Sequence, residues 1–255
     1  MLQKLQIILV LATLVLACCP ARAASLVQTI AAVKPSVVGV GGYLKTRSPA
    51  VRFVGTGFAT GDGRDIITND HVSASLGLPG QGEVLGIVIA RGAGFEFRTA
   101  RLVARDPEHD LSHLRIEGAP LPALVLGEKG LLEEGSELAF TGFPLGMGLG
   151  LHHATHRALL AAVTPILLPS LTASRLDARA ITQLQRPPFS IYQLDAIAYP
   201  GNSGSPVYEQ AGGTVVAVIN MGLVKGLKDS AISSPTGITY AVPVVHVREL
   251  LQRKP

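Results

Sequence analysis

The sequence is poor in cysteine and in aromatic residues. Of 255 residues, two are cysteine, none is tryptophan and 5% are aromatic, whereas 28 are glycine and 17 are proline. Both cysteines, Cys18 and Cys19, lie near the N-terminus, so the rest of the chain can form no disulfide. A chain of this length can bury a substantial core without such crosslinks. The glycine and proline content, with so few aromatics, favours many short strands and turns over long helices.

The charge pattern lacks what a nucleic-acid-binding protein requires. The formal net charge is only +4, and the arginines are scattered along the chain. There is no run of basic residues interleaved with aromatics, which is the usual signature of a nucleic-acid-binding surface. We therefore expect no nucleic-acid partner.

The most continuous hydrophobic run lies at the N-terminus. Lys4 precedes an almost wholly apolar segment, residues 5–17, and residues 21–23 read Ala-Arg-Ala, an A-x-A cleavage signal. This pattern is typical of a secretory signal peptide, here residues 1–23, and is too short for a good membrane span. Its removal lowers the formal net charge from +4 to +2 and takes away both cysteines. We predict an exported protein of the bacterial periplasm that is stable without disulfides.

A second processing route stays open. Residues 15–18 read Val-Leu-Ala-Cys and loosely resemble a bacterial lipobox, which would make Cys18 a lipid-bearing N-terminus. The leucine directly before the alanine fits that motif poorly. A secreted protein and a membrane-anchored lipoprotein therefore remain as alternatives.

Short apolar runs make up most of the chain after the signal peptide. An amphipathic segment at residues 25–33 predicts a short helix. Two successive sets of about six β-like runs follow, each run bounded by Gly, Pro or Asp. A helical pattern at residues 244–252 follows the second set. The two sets indicate two barrels that join near residues 120–130.

Two residues in the first set have the character of an acid–base pair. His71 ends the run DIITNDHV, where a strand gives way to a loop and a barrel rim can aim a side chain into a cleft. Taken alone, His71 fits an ordinary loop histidine at least as well. Asp110 opens the run DLSHLRI, where a carboxylate invites a partner such as an imidazole N–H. Asp106, beside Pro107, looks like an exposed turn residue instead. Asp70 is poorly placed to face the ring of its neighbour His71 and is expected to be a turn residue.

The cluster HHATH does not have the spacing of a metal site. It contains His152, His153 and His156 but lacks the glutamate of HExxH and has no cysteine nearby. In a strand, positions 152 and 156 share a face but lie too far apart to bind one small ion. We expect no metal site here, and no cofactor.

The segment YPGNSGSPVY, residues 199–208, holds two serines in a glycine-framed turn that leads into an apolar strand. Acyl transfer builds negative charge on a carbonyl oxygen, and backbone N–H groups stabilise that charge. The turn 201–204 suits this role because glycines adopt φ values that other residues resist. His71, Asp110 and Ser203 therefore offer a base, an orienting acid and a nucleophile along the chain.

Seven segments together resemble an HtrA/Deg-type trypsin-like serine protease. In the order of that family they are GTGFAT followed by DIITNDHV, then RDPEHDLSHLRI, AFTGFPLGM, LDAIAYPGNSGSPVY, VVAVINMG and GITYAVP, over residues 26–251. The resemblance implies an all-β fold of two six-stranded antiparallel β-barrels, the chymotrypsin/trypsin-like fold, with short N- and C-terminal helices. The expected domains are residues 24–125, with the His and Asp of the triad, and residues 126–255, with the nucleophilic Ser.

The same resemblance implies roles for individual residues. His71 is expected to be the general base, Asp110 its orienting acid and Ser203 the nucleophile. The backbone N–H groups of Gly201 and Ser203 are expected to form the oxyanion hole, in the cleft between the barrels.

The resemblance also points to a primary substrate pocket. Ile197, six residues before the nucleophile, is expected at the base of this pocket, and Met221 is expected in one wall. An aliphatic base cannot pair with Lys or Arg. We therefore expect cleavage after small or medium apolar residues.

Three features depart from the family. Ser205 stands where the family motif GNSGGP has its second glycine, so a positive φ there would strain the turn and distort the oxyanion hole. No segment resembles a PDZ domain, and we expect a protease domain only. Residues 164–189 form a Pro- and Leu-rich connection, in a region where the family has loops that shift between resting and active states.

These observations predict an exported serine endopeptidase that hydrolyses unfolded or damaged proteins through an acyl-enzyme. The alternative is a catalytically silent or chaperone-like binder of exposed apolar segments, which the serine at position 205 and unformed loops in the region 164–189 would favour. A small-ester or lipid hydrolase is disfavoured because the chain has no GxSxG nucleophile elbow. The resemblance also suggests a homotrimer that assembles partly through residues 24–35.

Overall fold

The computed structural model describes residues 24–77, 82–92, 94–128, 130–166, 188–221 and 237–253. The predicted signal peptide, lipidation at Cys18 and most of the connection 164–189 lie outside these residues. Within the described ranges, no helix has the length and hydropathy of a membrane span.

Twelve strands form two closed antiparallel barrels. The first barrel has the order β1-β2-β3-β6-β5-β4 and the second β10-β11-β12-β9-β8-β7. The strands are β1 (Val37–Tyr43), β2 (Val51–Thr60), β3 (Asp65–Thr68), β4 (Val84–Arg91), β5 (Gly94–Asp106), β6 (Leu111–Ile116), β7 (Glu137–Gly142), β8 (Ala154–Pro165), β9 (Ser190–Asp195), β10 (Pro206–Glu209), β11 (Val215–Ile219) and β12 (Ile238–Pro243). Pairing of β4 with β1 and of β7 with β10 closes each barrel and leaves no open sheet edge. The predicted all-β fold of two six-stranded barrels is confirmed.

Within the described ranges, three short helices and two 3₁₀ turns accompany the barrels. The helices are α1 (Leu26–Val33), α2 (Asp70–Ser73) and α3 (Val244–Gln252), and the 3₁₀ turns are Lys34–Ser36 and Gly146–Leu149. α1 begins at a capping box in which Ser25 and Gln28 bind each other's backbone N–H groups. α1 and α3 match the two predicted helices. α2 stands where the sequence predicts a loop at His71. The strand of the run DIITNDHV ends at Thr68, and a short helix follows it.

Each barrel has its own apolar interior, and a third cluster joins them. Alternate strand residues such as Val38, Ile66 and Leu114 fill the first barrel, and Phe140 and Leu194 belong to the core of the second. The third cluster combines the two barrels with α3, because Phe58, Leu111, Phe143, Tyr208 and Leu250 all belong to it. Burial of these side chains fixes one barrel against the other.

The connection between the barrels changes partners at residue 125. Leu124 forms an isolated parallel bridge with Thr60 of the first barrel, and Leu126 forms one with Val215 of the second. The division into residues 24–125 and 126–255 remains a prediction, and this change of partner supports it.

Candidate active site

The imidazole of His71 is bound to the carboxylate of Asp110. His71 Nδ1 lies 2.6 Å from Asp110 Oδ2, and the His71 backbone N–H donates to Asp110 Oδ1 at 2.8 Å. α2 carries His71, and Asp110 directly precedes β6. Because Nδ1 faces the carboxylate, Nε2 on the opposite side of the ring is left to face a nucleophile. The histidine side chain is 28% exposed and the aspartate 17%.

Asp110 has an unusual backbone conformation. Its φ is +53°, in the left-handed region that non-glycine residues seldom occupy. Its carbonyl oxygen accepts hydrogen bonds from the Asp70 backbone N–H and from Asn69 Nδ2, both at 3.0 Å. Together with the two bonds to His71, these contacts fix the carboxylate and offset the cost of the conformation.

Glycines shape the turn that carries Ser203. Gly201 has φ +100° and Gly204 has φ +87°. A Cβ on Gly201 would overlap the carbonyl oxygen of Phe143, and a Cβ on Gly204 would overlap that of Thr56. Both positions therefore require glycine for conformation and for space. Ser203 between them is only 6% exposed.

Strand β2 of the first barrel binds this turn. The Thr56 backbone N–H donates to the Ser203 carbonyl oxygen at 2.8 Å, and the Thr56 hydroxyl donates to that of Gly201 at 2.7 Å. A Cβ on the neighbouring Gly55 would lie 2.7 Å from Val72 and 3.0 Å from the Ser203 carbonyl oxygen. Gly55 is thus the place where the segment after His71 and the serine turn approach each other.

Two carbonyl groups set the direction of two N–H groups in the turn. The Pro200 carbonyl oxygen accepts from the Leu145 N–H at 2.7 Å, and that of Asn202 accepts from the Ser205 N–H at 3.0 Å. In a planar trans peptide the N–H points away from its carbonyl. The N–H groups of Gly201 and Ser203 therefore point away from these bonds, and neither has an acceptor among the described residues.

Ser205 has an ordinary backbone. It is absent from the described non-glycine residues with positive φ, which are Asp110, Leu145 and Leu151. Its N–H and carbonyl groups bind Asn202 and Ile219, and its side chain is fully buried. Backbone strain at Ser205, which the comparison with the motif GNSGGP suggested, is therefore absent. The residues of this turn that adopt the left-handed conformation are Gly201 and Gly204.

The trypsin-like peptidase domain family matches residues 55–218. The chain belongs to the trypsin-like peptidases. The matched stretch contains His71, Asp110 and Ser203 and reaches from β2 to β11.

Relatives of this trypsin-like peptidase carry the name probable periplasmic serine endoprotease DegP-like. The one from Pseudomonas fluorescens is 27% identical over 169 residues, which cover 66% of this chain and 29% of the relative. The one from Chlamydia trachomatis is 26% identical over 200 residues, which cover 78% of this chain and 33% of the relative. The chain thus spans about a third of the length of these relatives. The predicted resemblance to HtrA/Deg-type proteases is confirmed.

A solved structure shows the same fold. The active form of the Rv3671c protease from M. tuberculosis has a TM-score of 0.60 and 21% sequence identity, over 88% of this chain and 82% of that one. At this identity the likeness concerns the arrangement of strands.

The two aspartates expected in turns lie elsewhere, because Asp70 begins α2 and Asp106 ends β5. Asp70 is 7% exposed and pairs with Arg105, at 2.5 Å between Oδ1 and Nε. Asp106 is 2% exposed and pairs with His109 at 2.7 Å and with Arg253 at 2.7 Å. Burial opposes ionisation of Asp106, but the hydrogen bond from His109 holds the pKa of its carboxyl below the ordinary value.

Three histidines, His153, His156 and His246, are half-buried. His153 Nε2 is 2.9 Å from the Val37 carbonyl oxygen, so this ring connects the second barrel to the first. The ring of His156 stacks on Phe140, with centroids 4.8 Å apart. Burial lowers the pKa of His153, His156 and His246 below the ordinary value, and the neighbouring His109 lowers that of His246 further.

Along the chain, one residue predicted for the pocket precedes the serine turn and the other follows it. Ile197 and Met221 are both half-buried, and Met221 packs against the core of the second barrel. Ala198, next to Ile197, belongs to the same core.

Sequence reasoning missed the residues that support the site from a distance. Thr56, Leu145 and Arg105 bind backbone or carboxylate groups next to the predicted site residues. No short motif marks them, since each partner lies tens of residues away along the chain.

Proposed function

We propose that this trypsin-like peptidase is an exported serine endopeptidase with His71, Asp110 and Ser203 as its catalytic triad. The observation that carries the proposal is the 2.6 Å contact between His71 Nδ1 and Asp110 Oδ2, on a helix that approaches the glycine-framed Ser203 turn. The domain match and the serine endoprotease names of the relatives support it.

The triad would act by nucleophilic catalysis. His71 Nε2 takes the proton of Ser203 Oγ while that oxygen attacks the carbonyl carbon of the scissile peptide bond. The imidazolium then gives the proton to the leaving amine, and the C–N bond breaks to leave an ester on Ser203. Water, deprotonated by His71, then attacks the ester carbonyl carbon. The imidazolium returns that proton to Ser203 Oγ as the ester C–O bond breaks, which releases the acid product and restores the free serine. Asp110 orients the ring and stabilises its charged form, so the reaction needs no cofactor.

Gly201 and Ser203 would supply the oxyanion hole. Their N–H groups are free of acceptors among the described residues, and the hydrogen bonds to Leu145 and Ser205 fix the peptides that carry them. Donors that are fixed before the reaction stabilise the developing oxyanion at little reorganisation cost.

Ile197 and Met221 would give the primary pocket an apolar lining. Such a pocket favours small or medium apolar residues before the scissile bond, and offers no partner to Lys or Arg. Exposed apolar segments occur in unfolded or damaged proteins, which are therefore the proposed substrates. The periplasmic names of the relatives support export.

A homotrimer through residues 24–35 remains part of the proposal. In the single chain, α1 packs on the second barrel through Thr29 and Val33 and leaves Val27 77% exposed. Sedimentation at several concentrations measures the assembly state.

The alternative of a silent or chaperone-like binder was based on strain at Ser205 and on unformed loops, most of which lie outside the described residues. The ordinary φ of that residue gives the alternative no support. We therefore retain the endopeptidase as the proposed function.

Hydrolysis of casein and of a peptide library tests the proposal. We expect turnover by the wild type across a temperature series, and Ser203→Ala should lower it about a thousandfold or more. Ser205→Ala, two residues away, is the matched control and should stay active. Strong cleavage after Arg or Lys would contradict the apolar pocket. Equal turnover by the wild type and Ser203→Ala would contradict the triad.

A further inference from the structure

A second ion pair lies beside the His71–Asp110 pair. The carboxylate of Asp70, the residue before His71, accepts two hydrogen bonds from one guanidinium group. Arg105 Nε lies 2.5 Å from Oδ1 and Arg105 Nη2 lies 2.8 Å from Oδ2. Such a bidentate pair is strong and has a fixed geometry. The hydrogen bond with Asp70 also raises the pKa of Arg105.

Two serines, Ser73 of α2 and Ser112 of β6, continue the hydrogen-bond network from this ion pair. Ser112 Oγ donates to Asp70 Oδ1 at 3.0 Å and lies 2.8 Å from Ser73 Oγ. Ser73 Oγ also donates to the Asp70 carbonyl oxygen at 3.2 Å. Asp70 and Ser73 are the first and last residues of α2. The network therefore connects both ends of the helix to β5, through Arg105, and to β6, through Ser112.

The carboxylates of Asp110 and Asp70 bind different partners. Asp110 binds the ring and the backbone N–H of His71, whereas the Asp70 carboxylate binds Arg105 and Ser112. A helix of four residues has little stability of its own, so its orientation depends on such tertiary contacts. The contacts of Asp70 fix the element that carries the His71 ring.

We propose that Asp70 and Arg105 are positioning residues for His71. Arg105 fixes α2 through Asp70 and also neutralises a buried carboxylate on the residue before His71. A buried carboxylate without its cation is costly, and its charge acts strongly on a neighbouring titratable group. The inference rests on the proposed function, in which His71 is the general base.

Other charged groups around α2 are engaged elsewhere. Arg52 of β2 donates to the Ser75 carbonyl oxygen at 2.9 Å and pairs with Glu83 at 2.8 Å. Arg253 Nη1, beyond α3, donates to the Arg105 carbonyl oxygen at 3.0 Å, and its Nη2 pairs with Asp106. Among the described residues, Arg105 is the cation that binds the Asp70 carboxylate.

Four variants test the pair: Asp70→Asn, Arg105→Gln, their double variant, and Arg115→Gln as the matched control. Arg115, on the neighbouring strand β6, pairs with Asp65 at 2.6 Å and with Asp62 at 2.7 Å. We expect Asp70→Asn and Arg105→Gln to lower kcat about 10- to 100-fold with KM within about threefold, because misplacement of the base affects the chemical step. Arg115→Gln should change neither constant by more than about twofold.

The dependence of kcat/KM on pH separates a positioning role from a merely structural one. The quantity to compare is the pH midpoint of the fall in kcat/KM on the acid side, which a merely structural change would leave unaltered. Arg105→Gln leaves an unneutralised carboxylate, which stabilises the imidazolium, so the midpoint should rise by about half a pH unit or more. Asp70→Asn leaves the positive charge of Arg105, so the midpoint should fall. The double variant should return close to the wild-type midpoint.

An NMR titration separates this inference from the proposed function. The imidazole of His71 is followed in histidine-labelled Ser203→Ala protein, where no turnover is needed, and is assigned with His71→Gln. Opposite shifts of the midpoint in Arg105→Gln and Asp70→Asn support the pair even if the wild type hydrolyses nothing. The inference would be overturned if Asp70→Asn, Arg105→Gln and the double variant, all folded, shifted the midpoint of the His71 titration no more than Arg115→Gln does. This holds even if the wild type is active.

Discussion

At the scale of single residues, the serine turn depends on backbone conformation and on space. Gly201 and Gly204 occupy left-handed positions against carbonyl oxygens of Phe143 and Thr56. Ser205 occupies a different kind of position, in which the backbone is ordinary and the side chain fills a buried space. Ser205 Oγ has no hydrogen-bond partner among the described residues. Its hydroxyl is therefore dispensable for the turn.

Gly142, at the end of β7, faces that hydroxyl. A Cβ on Gly142 would overlap Ser205 Oγ and lie 2.8 Å from Asn202 Oδ1. We expect Gly142→Ala to lower the free energy of unfolding by about 1–3 kcal/mol, because the core there is already filled. Ser205→Ala alone should change it little, and the double variant should recover part of the loss. Urea unfolding measures all three proteins.

Gly148 provides the control for this experiment. It has no atom within 4 Å of a built Cβ, so Gly148→Ala should change stability little. Equal destabilisation by Gly142→Ala with and without the Ser205→Ala change would show that the hydroxyl is not what the new methyl group meets.

The site residues differ in how well the sequence predicts them. His71, Asp110 and Ser203 stand out because separate motifs agree in order, and the structure brings His71 and Asp110 into contact. The predictions of Asp106 as an exposed turn residue and of Asp70 as a turn residue are wrong. Their partners, Arg105 and Arg253, come from distant segments, and no local pattern reveals a tertiary ion pair.

At the scale of elements, α1 is held by a few contacts with the β10–β11 hairpin. Thr29 Oγ1 donates to the Gln210 carbonyl oxygen at 2.8 Å, and Val33 lies 3.1 Å from a Cβ built on Gly213. The helix therefore buries one face on the second barrel, while Val27 on the other face is exposed.

Thr29→Val keeps the volume of this side chain but removes its hydroxyl. We expect a loss of about 1–2 kcal/mol in the free energy of unfolding, because the Gln210 carbonyl oxygen would lose its partner. Thermal or urea unfolding measures the change. Val27→Thr, on the exposed face of the same helix, is the matched control and should be nearly neutral. If the two variants behave alike, the hydroxyl contact does not hold α1.

Strands were easier to predict than the element that carries His71. Alternating β-branched runs between Gly, Pro and Asp predict the two sets of strands well, since these patterns are local. The run DIITNDHV predicts a strand that gives way to a loop at His71, yet the strand ends at Thr68 and α2 begins at Asp70. Contacts of Asp70 and His71 with β5 and with Asp110 favour that helix, and such contacts are not encoded in a short window.

At the scale of the whole molecule, the contact between the barrels forms both the core and the site. Thr56 of the first barrel binds Ser203 and Gly201 of the second, and the ring of Phe53 packs edge-on against Phe143 at 6.1 Å between centroids. The His153 hydrogen bond to Val37 adds a contact across the same boundary. Changes in the packing of the barrels should therefore affect activity and stability together.

Acidification should destabilise the fold. Burial lowers the pKa of His153, His156 and His246 from their ordinary value of 6.5, so the folded state favours their neutral forms. This contribution to stability is present above about pH 6.5 and is lost as the pH falls below it, because the unfolded chain then binds more protons. A second loss should follow at lower pH, since hydrogen bonds from Arg52, against the effect of burial, and from Arg47 lower the pKa of Glu83 to about 2.

His156→Phe tests the first of these losses. The new ring keeps the stacking on Phe140 but cannot take up a proton, so the free energy of unfolding should depend less on pH between about pH 7 and pH 5. His152→Gln, at an exposed position, should leave the wild-type slope unchanged. A wild-type stability that rises on acidification over this range would contradict the assignment.

The central claim is that Ser203 is a nucleophile activated by His71. Labelling with a fluorophosphonate, followed by peptide mapping, tests it most directly, because the reagent traps an activated serine without requiring a known substrate. The account predicts one label, on Ser203, in the wild type and in Ser205→Ala, and no label in Ser203→Ala or His71→Ala. Folded wild-type protein that takes no label across temperature and pH, or that takes it on Ser205, would contradict the account.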